Sequence, residues 1–145
     1  MIKRIMIATD GSDASRRAAM LAVDIARQAT GSITAVYVIE TERLSRLPGI
    51  STLPELKEKL LALMQAEGQQ ATQFVEDQAI AAGVSCQKIL ASGRAIEELI
   101  KISQQQEIDL IIMGSMGRTG MEKILLGNVA EKVVKKSAIP VLLAK

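Results

Sequence analysis

Ile108-Asp109-Leu110-Ile111-Ile112-Met113 leads directly into Gly114-Ser115-Met116-Gly117-Arg118-Thr119-Gly120, and Met121 to Gly127 carries the chain on to Asn128-Val129. The first part is a nearly continuous apolar run, the pattern of a strand covered on both faces. The second is rich in glycine, and Gly127-Asn128-Val129 opens an amphipathic helical stretch. Strand, glycine-rich loop and helix in that order suit anion binding. Glycine lets backbone amides approach a phosphate without a Cβ in the way, and a helix start adds unpaired N–H groups. Gly120 alone reads as a turn residue; Gly114, Gly117 and Gly127 together read as a phosphate cradle.

Four further apolar segments rich in Ile and Val flank this one. Together the five predict strands at residues 2–8, 33–39, 84–91, 108–113 and 139–143. Between them lie helical patterns. The first places Ala18, Leu21, Ala22, Ile25 and Ala29 on one face, with Ser12 or Asp13 as its cap and Gly31 closing the turn after it. A long second helix, residues 55–82, buries Leu56, Leu60, Leu63, Ala71, Phe74 and Val75, follows Pro54 and ends at Gly83, with Gly68 as a local weakness. A third uses Ile96, Leu99 and Ile100. The last, residues 128–136, buries Val129, Ala130, Val133 and Val134. Alternating strands and helices predict an α/β fold with a mainly parallel sheet. Residues 41–53 are weakly patterned and read as a mobile loop, either a surface connection or a lid over a ligand.

Composition removes several function classes. At 145 residues the chain has the size of a single domain, 1–145, that needs no disulfide or metal to build its core. Tyr37 and Phe74 are its only aromatic residues, so nucleic-acid binding by base stacking is not expected. The net charge of +2 is too small for a phosphate-tracking surface. There is no histidine, which excludes histidine triads and histidine metal sites. The lone Cys86 reads as a small buried thiol. The apolar run ahead of Asp10 is too short for a secretory signal, and no run is long enough to cross a membrane, so the expectation is a cytoplasmic protein.

The glycine pattern is neither a Walker loop, since no Gly-x4-Gly-Lys-Ser/Thr occurs, nor the dinucleotide fingerprint. Instead Gly114-x2-Gly117-x9-Gly127 resembles the Gly-x2-Gly-x9-Gly-Ser/Thr signature of the ATP-binding universal stress proteins. Asp109 to Ser115, Lys123 to Gly127, Val129-Ala-Glu-Lys-Val133, the ending Ile139-Pro140-Val141-Leu142-Leu143 and the opening Ile5-Met-Ile-Ala-Thr-Asp10-Gly-Ser12 are similar too. The resemblance implies a three-layer α/β/α, Rossmann-like fold of the adenine nucleotide alpha hydrolase-like kind, its five-stranded parallel sheet in the order 3-2-1-4-5. It implies ATP, ADP or AMP as ligand, with room for Mg2+ through the phosphates. Thr9 and Asp10 would lie beside adenine and ribose, and Val38 would contact the base through its backbone. Gly114, Gly117, Gly127, Asn128 and Val129 would hold the phosphates, while Met113 and Ser115 line the same wall.

For Asp10 a turn or cap role competes with the ligand role. Arg118 reads as a phosphate partner or as an exposed loop arginine. Asn128 stands where the family pattern has Ser or Thr; it can donate to a phosphate, and with Glu131 it makes a variant capping box.

No poised general base or Walker lysine is present, so the expected activity is nucleotide-responsive binding in stress signalling, with at most slow hydrolysis. Two alternatives share the fold. One is a dimeric interaction module without nucleotide; the other is a nucleotide-hydrolysing or adenylyl-transfer enzyme or flavoprotein subunit, against which the short Thr9-Asp-Gly-Ser12 loop speaks. Residues 139–143 would form an edge strand in which Pro140 is tolerated. The resemblance implies pairing of that strand with its copy in a homodimer.

Overall fold

Each strand in the computed structural model, which describes residues 1–115 and 126–145, runs parallel to its neighbours. β1 spans Arg4–Ala8, β2 Ser32–Ile39, β3 Ser85–Ser92, β4 Leu110–Gly114 and β5 Val141–Ala144. The sheet order is β3-β2-β1-β4-β5, as the resemblance implied. Helices α1 (Asp13–Ala29), α2 (Thr41–Ser45), α3 (Pro54–Ala81), α4 (Ala95–Gln105) and α5 (Glu131–Lys136) connect them, with a 3-10 turn at Ile50–Thr52 and a π-helical turn at Leu126–Ala130.

The central strands β1 and β4 are apolar from Ile5 and from Leu110 onward because they are covered twice. Ile5, Ile7, Leu110 and Ile112 pack under α1 and α3, while Met6, Ile111 and Met113 pack under α4 and α5. Ile5, Met6, Ile7, Ile111 and Ile112 are 0% exposed, and burying each such side chain stabilises the fold by about 1.5–3 kcal/mol. These four residues of β1 and β4 on one face, and three on the other, hold the two strands as a rigid pair.

Asp109 fixes the beginning of that pair. Its Oδ2 accepts from the backbone N–H of Lys3 at 2.9 Å and of Arg4 at 2.8 Å, and its own N–H donates to the Arg4 carbonyl at 2.7 Å. The two backbone donors, Arg4 first, hold the Asp109 carboxyl below its ordinary pKa.

Several helix faces differ from the periodicity reading. In α1 the buried residues are Ala14, Ser15, Ala18, Ala19, Ala22, Val23 and Ala26, and Leu21 is exposed. Small residues let α1 lie close to the sheet, and the stripe turns toward the alanines. In α4 the buried positions are Ala95, Leu99, Ile102 and Ser103, so Ile96 and Ile100 stand at the margin. In α5 Val133 is buried and Val134 exposed.

The long helix α3 has 28 residues and β2 has 8, lengths of about 42 Å and about 26 Å. The first turns of α3 therefore overhang the sheet, and packing on β2 begins at Leu61 and Met64. Leu56 and Leu63, predicted buried, are exposed. Gly68 is the point of contact rather than a weakness: a Cβ there would lie 2.7 Å from Tyr37 Cδ1 and 2.8 Å from Leu90 Cδ2. Its absence sets the distance between α3 and the sheet.

Residues 41–53 are not a structureless loop. They form α2 and the 3-10 turn, anchored by buried Leu44 and Ile50. Arg94, just after β3, donates to Glu42 Oε1 at 2.7 Å, and Arg46 donates to the same oxygen. The Arg94 hydrogen bond, followed by the Arg94 and Arg46 charges, holds the Glu42 carboxyl below its ordinary range.

Candidate functional site at the carboxyl ends of β1, β2 and β4

β1 and β4 are neighbours, yet β1 leads through α1 to β2 on one side and β4 leads toward β5 on the other. Connections that part in this way leave a crevice outside the carboxyl ends of the strands. Thr9 and Asp10 sit at its β1 lip, Gly114 and Ser115 at its β4 lip.

Strand lengths open a notch beside that crevice. The β1–β2 ladder ends at Ala8 against Val36, with one more bond from Thr9 N–H to the Val36 carbonyl at 2.9 Å. β2 continues for Tyr37, Val38 and Ile39. Backbone direction alternates with period two along a strand. Val36 faces β1, whereas Ile39 faces β3 and accepts from Gly93 N–H at 3.0 Å. Val38 thus presents its N–H and C=O toward the space beyond β1. Neither group has a partner among the described residues, nor does the Thr9 carbonyl. Unpaired backbone groups at a partly buried position are rare in folded proteins, and here a donor and an acceptor stand side by side.

A set of hydroxyls holds the β1 lip in place. Thr9 Oγ1 donates to Ser15 Oγ at 3.0 Å and accepts from Gly11 N–H at 3.2 Å. Ser12 is the N-cap of α1, its Oγ accepting from Ser15 N–H at 3.2 Å. Asp10 Oδ1 accepts from Ser12 N–H at 2.9 Å, and Asp10 Oδ2 has no partner among the described residues. One Asp10 oxygen thus makes the turn that its turn reading expected, and the other is left open. Ser15 was not singled out from sequence, although its spacing from Ser12 is that of an N-cap and its third residue. Asp10, Gly11 and Ser12 also line a cleft of about 250 Å³ with Arg16, Glu67, Gln70 and Ala71. That cleft lies between α1 and α3, and Val38 and the β4 lip do not line it.

At the β4 lip, Gly114 packs against the first turn of α1. A Cβ would meet the Ala14 carbonyl carbon at 3.0 Å and Ser15 N at 3.1 Å. The glycine thus brings β4 against the α1 start. Ser115 spends its N–H on the Ala144 carbonyl at 2.7 Å, so its amide is committed to the sheet. Met113 is buried in the apolar cluster against which Val38 and Val129 also pack, which unites β2, β4 and the π-helical turn. Asn128 is exposed and lies inside the Leu126–Ala130 turn. It is not the cap of α5: Ala130 holds that position, with helical φ and ψ and no side-chain cap bond. The expected capping box is absent because the π turn continues straight into α5. Gly127 belongs to the same turn, whereas Gly117, Arg118 and Gly120 lie outside the described residues.

The family model of the universal stress protein family matches residues 1–145. This chain belongs to the universal stress protein family. Universal stress protein MJ0531 of Methanocaldococcus jannaschii is 37% identical over 145 residues, covering 100% of this chain and 83% of that one. The solved structure of MJ0577 from the same organism superposes with a TM-score of 0.79 at 28% identity, covering 100% of this chain and 96% of that one. A universal stress protein of Archaeoglobus fulgidus, solved in complex with dAMP, superposes at 0.69 with 16% identity, covering 100% and 98%. At that identity the last match speaks for the shared fold alone. Among the described residues, no helix is long and apolar enough to cross a membrane.

Proposed function

We propose that this universal stress protein binds ATP or a related adenine nucleotide in the notch between β1, β2 and β4, as a regulatory module in the cytoplasmic stress response. One observation carries the reading: the N–H and C=O of Val38 beside the end of β1, which have no partner among the described residues. Adenine offers an amino donor and a ring-nitrogen acceptor along one edge, the complement of that pair. Asp10 Oδ2 would accept from a ribose hydroxyl. Negative phosphate oxygens would then extend over Gly114 toward the Leu126–Ala130 turn, where Asn128 is exposed. A dAMP-bound relative supports the choice of ligand class for the fold.

Magnesium, where it accompanies a triphosphate, enters with the phosphates; among the described residues no three His, Cys, Asp or Glu side chains converge on one point. Binding without turnover is the proposed mode, because the chain has no histidine and no Walker lysine to stabilise a phosphoryl-transfer transition state.

Calorimetry with ATP, AMP, ITP and FMN tests the proposal. ITP carries a carbonyl where ATP carries the amino group, so it leaves the Val38 groups mismatched. A buried unsatisfied group costs about 1–3 kcal/mol, so ATP is expected to bind about one to two orders of magnitude tighter than ITP. Equal affinities would remove the base-reading role of Val38. No heat with any nucleotide would leave the second reading, a dimeric interaction module. That reading has its own support in β5, an edge strand whose Val141, Leu142 and Leu143 are only partly covered. Pairing of β5 with its copy is proposed in either case, with a homodimer in light scattering as its check.

A further inference from the structure

The amino-terminal half of α3 carries a row of leucines that the fold leaves partly or largely exposed. Leu53 at its cap is 50% exposed, Leu56 45% and Leu63 61%, with Leu60 half-buried between them. The spacing of three, four and three is that of a helical seam. About a quarter turn round the same helix, Leu61, Met64 and Ala71 already pack on the sheet. The leucine row is therefore an apolar strip beside that packed face, contiguous along one helix rather than scattered.

We propose that this row docks an amphipathic helix with acidic flanks, belonging to a partner protein. Charge selects the occupant. At about 100° per residue, Lys57 and Lys59 fall on either side of the row, whereas Glu58 points almost directly away from it. Neither lysine is in an ion pair among the described residues. Glu67, which follows the row, lies 3.5 Å from the Tyr37 hydroxyl. A second copy of α3 laid antiparallel would bring Lys59 against Lys59 and Lys57 near Lys57, so like charges disfavour self-pairing. A helix with leucines at matching intervals and Glu or Asp along both margins meets apolar with apolar and lysine with carboxylate. Four leucines are a small footprint beside the roughly 800 Å² per partner of a standard interface, which places the complex in the weak, exchangeable class.

The probe is a fluorescein-labelled synthetic helix of about 20 residues, long enough to hold helical structure when bound, with one leucine row flanked by Glu. Its counterpart has Lys in place of each flanking Glu. Fluorescence anisotropy at low salt is expected to show the acidic peptide binding about tenfold tighter, a preference that falls as salt is raised. Lys57→Glu with Lys59→Glu should invert the preference. Leu56→Ser with Leu63→Ser should abolish binding of both peptides while far-UV circular dichroism and nucleotide titration stay unchanged. No binding, or equal binding of the two peptides to the wild-type chain, would overturn the proposal. So would wild-type self-association in sedimentation that the Leu→Ser pair dissolves, since the occupant would then be a second copy.

Discussion

Replacing Gly114 with alanine tests whether the close approach of β4 to α1 builds the site. The new Cβ would lie 3.0 Å from the Ala14 carbonyl carbon, 3.1 Å from its oxygen and 3.1 Å from Ser15 N. Ordinary carbon contacts begin near 3.5 Å, so about half an ångström of movement is required. All three neighbours are backbone, and none can rotate away. They belong to a helix start that is fixed by Thr9 to Ser15 at 3.0 Å, Ser15 to the Ser12 carbonyl at 2.9 Å and Ser15 N to Ser12 Oγ at 3.2 Å. Overpacking of this kind costs about 1–3 kcal/mol, against which alanine recovers about 0.5–1 kcal/mol of glycine's backbone entropy. The expected net loss is about 1–2 kcal/mol, read as a lower urea midpoint with an unchanged slope. At about 2–4 °C per kcal/mol, Tm falls in parallel. Because Thr9 and Asp10 move with the α1 start, ATP affinity in calorimetry should fall as well. Gly83→Ala is the control: at φ +71° with no atom within 4 Å, it costs about 1 kcal/mol through backbone strain alone and leaves ATP binding intact. A Gly114→Ala protein of wild-type stability and unchanged affinity would refute the reasoning.

Ser12→Ala removes the α1 N-cap and should destabilise by about 1 kcal/mol in urea unfolding, with glycine at the same position milder. Asp109 has a folded pKa below its unfolded value, so its contribution is present above about pH 4 and is lost as pH falls through the depressed folded pKa; the stability gap between wild type and Asp109→Ala should accordingly close in acid and stay open at neutral pH. Burial, followed by the charge of Glu76, pushes the Cys86 thiol up to about 11, so DTNB should label it slowly at pH 8 and faster only as pH approaches that value, and rapid labelling at pH 8 would contradict its placement. A thiol with a raised pKa also adds stability that is whole below its unfolded pKa of about 8.5 and fades as pH rises through about 11. Gly68→Ala should destabilise despite better helix propensity, because the Tyr37 ring cannot yield although Leu90 can.

Much of the site's scaffold was legible because apolar runs and glycines report local requirements. Unbroken runs such as Ile111-Ile112-Met113 announce burial on two faces, and the β bounds fall within two residues of their sequence positions. Residues far apart in the chain were harder. Asp109 as a clamp on Lys3 and Arg4, and Arg94 as a tether for Glu42, depend on distances that no local pattern encodes. Asn128 misled because its neighbourhood has the composition of a cap, while the chain there continues through a π turn.

What the residues determined by themselves was the alternation of strand and helix, the glycine-rich turn after β4 and the absence of histidine chemistry, since each follows from side-chain type and spacing along the chain. What only the tertiary structure decided was which surfaces those elements leave unsatisfied. β2 outruns β1 and exposes the Val38 amide and carbonyl, and α3 outruns the sheet and exposes the leucines of its first turns. Both are consequences of unequal element lengths once packed, because a backbone group or an apolar face is spare only relative to the neighbour that stops short of it.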